Sequence, residues 1–216
     1  MNNIKILLLD DDTNDIFKVR NAIKSCNKTF PNLSNGKEIE ISEFDFSKHF
    51  STDSVKSNIL SLIDKNDYSS IVIDQRIMLE NGYVDGNAVF EFIKNAIPCF
   101  PVVMLTQLPE HCRENGVVDF DKIYEKKEFL KSDSELVKKL ICNAEQYLKN
   151  INDIDIELRQ LSEVDTDNFQ RYIELETMLC NYLPKYYTKK ITESFSKEYK
   201  ELLSLINRLE KHINEK

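Results

Sequence analysis

The chain has 216 residues, of which 41% are hydrophobic, and a formal net charge of -8. That supplies enough apolar side chain for a core and excludes global disorder, while an acidic balance in residues 1–132 and in residues 133–216 alike argues against DNA and against nonspecific phosphate binding. Five scattered cysteines without C-x-x-C spacing fit a reducing cytoplasm rather than a disulfide framework or a zinc site, and no apolar run is long enough to span a membrane.

Ile4–Leu9 reads as a buried strand, and Asn14–Cys26 as a helix with Ile16, Val19 and Ile23 on one face. A polar loop over Thr29–Lys37 leads to an alternating segment, Glu38–Phe44, that fits a second strand. Ser54–Lys65 is predicted helical, with Val55, Ile59, Leu62 and Ile63 inward. Ser70–Ile73 is a short apolar strand ending at Asp74, followed by a glycine-containing loop and a helix over Asn87–Asn95. Pro101–Leu105 is a strand ending at Thr106, and Lys122–Tyr124 a fifth strand ending near Lys127. Strands alternating with helices predict an α/β fold, a five-stranded parallel, doubly wound, flavodoxin-like sheet, over residues 1–132.

Residues 133–216 change character. They contain no glycine and one proline, and they repeat apolar positions at helical spacing. The prediction is an all-α region: a long helix over about 134–164, then helices over about 168–183 and 188–214. Leu140, Ala144, Tyr147, Ile151, Ile154, Leu158 and Leu161 form a heptad seam, which packs either within the chain or as a coiled coil with a second copy. The segment Lys185–Lys190 interleaves lysines and tyrosines and is read as an inter-helix turn. His49, His111 and His212 stand in no metal-ligand spacing and are read as solvated.

In parallel sheets, sites collect at the carboxyl ends of the strands. There the sequence places Asp10, Asp11, Asp12, Asp74, Thr106 and Lys127. Converging carboxylates suit a hard divalent cation such as Mg2+. A lysine pairs with a phosphoryl oxygen and a threonine hydroxyl donates to another. An aspartate beside a metal is a competent nucleophile toward phosphorus. The set reads as a phosphoryl-transfer site, with Asp12 to Asp15 starting the first helix.

The stretches LLLDDD, IVID, DG, VVMLT and YEKKEF, in that order, resemble the receiver (CheY-like) domain of two-component response regulators. The resemblance covers about residues 3–131. It implies that Asp10 and Asp11 hold Mg2+, with Asp74 as phosphoacceptor and the backbone carbonyl of Arg76 as a further ligand. It also implies roles for Thr106 and Tyr124 as switch residues and for Lys127 as the site lysine, Lys126 being the adjacent alternative. A histidine kinase or phosphotransfer protein would be the donor, and the helical region the output, as a signalling protein with at most weak self-dephosphorylation. Three departures stand out. Glu128 occupies the position of the usual proline, Gln107 that of a small residue, and the loop from Asp74 to Gly86 is longer than usual.

Two alternatives stay open at this level. The D-D-D-T-N stretch also resembles the opening of haloacid-dehalogenase-type phosphatases, with Asp10 as nucleophile and Asp12 as acid/base. Receivers joined to three helices resemble antiterminators that bind RNA; the acidic helical region disfavours that output against protein binding or a homodimer through the helical region.

Overall fold

The computed structural model describes residues 3–49, 51–65, 68–80, 82–114, 122–161 and 168–184. Its centre is one parallel sheet built from β1 (Ile4–Leu9), β2 (Ile39–Glu43), β3 (Ser70–Asp74), β6 (Val102–Thr106) and β7 (Ile123–Glu125) in the order β2-β1-β3-β6-β7. Alternate residues of each strand point to opposite faces. Leu7, Leu9, Ile71, Ile73, Val102 and Met104 therefore share one face, covered by α2 (Thr52–Asp64) and α3 (Gly86–Ala96). Ile6, Leu8, Val72, Val103, Leu105 and Tyr124 share the other, covered by α1 (Thr13–Thr29) and α6 (Glu135–Gln160). Burial on both faces is why the central strands read as unbroken apolar runs. The winding reverses between β1 and β3, and this switch point opens a crevice at their carboxyl ends.

The stretch after Asp74, expected as a loop, is a hairpin. β4 (Arg76–Leu79) pairs antiparallel with β5 (Gly82–Asp85), Ile77 opposite Val84 and Met78 opposite Tyr83. Ile77 and Val84 are fully buried, whereas Met78 and Tyr83 face outward. Two four-residue strands carry too short an alternation to register as sequence period. The one-turn helices α4 (Pro109–Glu114) and α5 (Lys126–Phe129) escape for the same reason. All peptide bonds among the described residues are trans, including the one before Glu128.

The expected division after residue 132 falls at the start of α6. The first half of that helix is part of the α/β core: Val137, Leu140, Ile141 and Ala144 are buried against the sheet with Phe129. Further along, Ile154, Leu158 and Leu161 pack on Leu175, Leu179 and Leu183, from α7 (Phe169–Cys180) and the residues after it. The heptad seam is thus taken up within the chain. An aromatic cluster fixes the far end of α7: Phe100 meets Tyr147 edge-on at 5.3 Å, and Tyr147 Oη donates to the Tyr182 carbonyl at 2.8 Å. The Cys99 N–H donates to the Asn181 carbonyl at 2.9 Å. The third expected helix (188–214), the segment 185–190, His212 and the His111 side chain lie outside the described residues. His49 is not simply solvated: its Nδ1 is 2.8 Å from Ser54 Oγ, and its Nε2 is 2.8 Å from Asn58 Nδ2. All five cysteines are free, and among the described residues no helix is long and apolar enough to cross a membrane.

Candidate functional site

β1 delivers Asp10, Asp11 and Asp12 to the switch point, and hydrogen bonding divides them. Asp12 caps α1, accepting from Asn14 N at 2.8 Å and Asp15 N at 3.3 Å, as unpaired N–H groups at a helix start require. Asp10 Oδ1 accepts from the Asp12 N–H at 2.9 Å, which turns its carboxylate toward β3. Asp11 is exposed at the rim. At the end of β3, Asp74 Oδ2 accepts from Arg76 N at 3.0 Å. Asp10, Asp11 and Asp74 each offer an oxygen, all within 4.8 Å of one another.

The lysine that enters this cluster is Lys126, not Lys127. Its Nζ lies 2.6 Å from Asp74 Oδ1, 3.0 Å from Asp10 Oδ2 and 3.0 Å from Asp15 Oδ2. The cause is register: β7 pairs Glu125 with Thr106, so the next residue leaves the sheet over the carboxyl ends. Lys127 is one step further around α5 and is exposed. Two site residues escaped the sequence reading. Asp15 reaches Lys126 from the first turn of α1 and also pairs with Lys18 at 2.9 Å. Its only sequence signal is its place one helical turn after the cap. Gln75 accepts from Thr106 Oγ1 at 2.5 Å. No pattern in the sequence announces that contact.

Thr106 ends β6 and is 3% exposed; its hydroxyl also accepts from the Leu108 N–H at 3.1 Å. Tyr124 is buried in β7, stacked 6.4 Å from Phe129. Gln107 is exposed and lines the cavity at its rim. The Arg76 guanidinium lies 5.2 Å over the Tyr83 ring at the base of the hairpin. Gly86 opens α3 against the back of the site. A Cβ there would stand 2.0 Å from the Asp74 carbonyl oxygen, so only glycine allows this approach.

Electrostatics follow from crowding. Five aspartates (10, 11, 12, 15 and 74) line a cavity of about 290 Å³, and among the described residues Lys126 and Arg76 are the cations that line it. Burial raises the Asp10 carboxyl above its ordinary value, and the charge of Asp74 adds to this; the Asp12 N–H and Lys126 oppose it. Burial would lower Lys126, but its hydrogen bond to Asp74 and the charges of Asp74 and Asp10 outweigh burial and hold the ammonium well above the usual lysine range. Asp15 is lowered, chiefly by the Lys18 hydrogen bond and then by Lys126, against the effect of burial.

These residues fit a hard divalent cation. Octahedral Mg2+ bonds place ligand oxygens about 3 to 4 Å apart, and the three carboxylates already lie within 4.8 Å. The donors are all oxygen, and the acid excess exceeds what one lysine and one arginine offset.

No family model and no curated protein sequence matches the chain. Among solved structures it is similar to the non-phosphorylated receiver domain of the stress response regulator RcsB from Escherichia coli. There the identity is 19%, covering 60% of this chain and 86% of that one, with a TM-score of 0.40. The RcsB response regulator of Salmonella typhimurium gives 14% identity over 85% and 94%, with a TM-score of 0.41. The response regulator domain of Thermotoga maritima CheB gives 18% over 76% and 99%, with a TM-score of 0.35. By its own strand order the α/β part of this chain is a doubly wound, flavodoxin-like five-stranded parallel sheet with acids gathered at its strand ends.

Proposed function

We propose that the protein is a two-component response regulator that accepts a phosphoryl group on Asp74. One observation carries this reading: the Asp74 carboxylate at the switch point lies in contact with Lys126 and within reach of two further acids. A phosphohistidine in a histidine kinase or phosphotransfer protein is the proposed donor. An Asp74 oxygen attacks phosphorus, the P–N bond breaks, and its electron pair returns to the donor imidazole, which takes up a proton. Lys126 then pairs with the new phosphoryl group, and Thr106 donates to another of its oxygens. Asp10, Asp11, Asp74 and in this reading the Arg76 carbonyl would hold Mg2+, which would supply positive charge against the crowded oxygens.

The helical region is the proposed output, through protein contact or dimerisation, in a cytoplasmic setting that keeps the five thiols free. Tyr124 and Thr106 are its proposed switch residues. Radiolabelled acetyl phosphate with Mg2+ tests the assignment. Wild type should label and Asp74→Asn should not; undiminished labelling of Asp74→Asn overturns the reading. A gel shift at moderate salt, expected to show no RNA binding, tests the output.

A further inference from the structure

The Thr106 hydroxyl is already committed. It has one hydrogen to give, and that hydrogen goes to Gln75 Oε1 at 2.5 Å. Its oxygen accepts from the Leu108 N–H at 3.1 Å, which fixes the hydroxyl in this orientation. While this arrangement lasts, Thr106 has nothing to donate to an oxygen bound at Asp74. Gln75 directly follows Asp74, and its backbone is held from both sides. Its N–H donates to the Leu105 carbonyl at 3.3 Å, and its carbonyl accepts from Gly86 N at 3.0 Å. A Cβ on Gly86 would come within 2.9 Å of that carbonyl oxygen, so α3 leaves this backbone no room on that side. With its backbone pinned and β4 beginning at the next residue, Gln75 can let go only by turning its side chain.

We propose that Gln75 is a positioning residue that holds the Thr106 hydroxyl away from Asp74 at rest and must release it before a phosphoryl group is fully bound. The side chain thereby sets the threshold of the switch. A weaker hold favours the occupied state, and the effect passes entirely through Thr106. This inference rests on Asp74 being the phosphoacceptor.

The test is calorimetric titration with beryllofluoride, an acyl-phosphate mimic, in saturating Mg2+. Gln75→Met keeps the length of the side chain and loses the acceptor; Gln75→Ala removes the side chain. Each is measured with Thr106 present and in a Thr106→Val background. The expected result is binding about 2- to 10-fold tighter in both Gln75 variants, the range of one net hydrogen bond, and no gain in the Thr106→Val background. Unchanged or weaker binding in the Gln75 variants overturns the inference. An equal gain with Thr106→Val also does, since the effect would then come from added room. If wild type binds no beryllofluoride, the phosphoacceptor reading falls and takes this inference with it.

Discussion

Lys126→Met removes the ammonium that bridges Asp10, Asp15 and Asp74 while keeping most of the side-chain stem. Lys126, Asp10, Asp15 and Asp74 have side chains only 12–16% exposed, and the three N–O distances run from 2.6 to 3.0 Å. At an effective dielectric of about 20, each pair at this range attracts by roughly 6 kcal/mol, most of it offset by the cost of drying the charges. Removing one partner of a buried pair costs about 3–5 kcal/mol and of an exposed pair up to about 1 kcal/mol. This partly open cluster falls between, at about 2–4 kcal/mol. Urea denaturation at neutral pH without divalent cation measures that loss, with Lys127→Met as the control, expected within about 0.5 kcal/mol of wild type. Magnesium should then restore more stability to Lys126→Met than to wild type and bind it more tightly, because a divalent cation no longer faces a resident ammonium. A larger loss in Lys127→Met, or weaker magnesium binding in Lys126→Met, would refute the placement of the ammonium.

Three further outcomes are expected. Gly86→Ala puts a methyl group 2.0 Å from the Asp74 carbonyl oxygen. It should lose about 2 kcal/mol or more in denaturation together with acetyl-phosphate labelling; wild-type labelling would show that α3 can back away freely. Asp15, whose folded-state value lies below the ordinary 3.8, contributes stability above that range and loses it as pH falls through the lowered value. Asp15→Asn should therefore be less stable than wild type at pH 7, with the gap closing in acid; a gap constant with pH would refute the pairing with Lys18 and Lys126. Leu175→Ala, at a position 1% exposed between α6 and α7, should cost about 2–4 kcal/mol of local stability. Hydrogen exchange should quicken in α7 and stay unchanged in β1 and β3; uniform quickening would mean that α7 and the sheet unfold as one unit.

The sheet was legible because its strands are buried on both faces. Runs such as Ile4–Leu9 and Val102–Thr106 end abruptly in polar residues, and those endings also mark the site. The hairpin was not legible, since Arg76–Leu79 and Gly82–Asp85 each place one fully buried side chain, Ile77 and Val84, in four residues. The lysine was misplaced by one position because two lysines adjoin and only the pairing of Thr106 with Glu125 decides which one faces the acids. Asp15 and Gln75 reach the site through tertiary contacts that no local pattern encodes. Residues 132/133 looked like a boundary because apolar positions recur at helical spacing beyond them, with no glycine and one proline. Composition, however, does not reveal that α6 closes the sheet with its first half and receives α7 with its second.

That double use of α6 bears on how a charge event at the strand ends can spread. Lys126 begins a helix of one turn, and the end of that turn, Phe129, is fully buried and stacked on Tyr124. Lys126 therefore cannot follow a new charge on Asp74 far without moving Phe129 or breaking that stack. Phe129 lies in the same buried cluster as Val137, Leu140 and Ile141 of α6. Close-packed side chains shift between discrete arrangements rather than deform smoothly. A displacement at Lys126 is thus handed to the first turns of α6 by direct contact, and α6 is one unbroken helix of 26 residues up to the leucines of α7. The decisive comparison is hydrogen exchange in α7 with and without beryllofluoride. A change in wild type that disappears in Lys126→Met would show that the ammonium carries the signal, whereas a change that persists would assign it to another route.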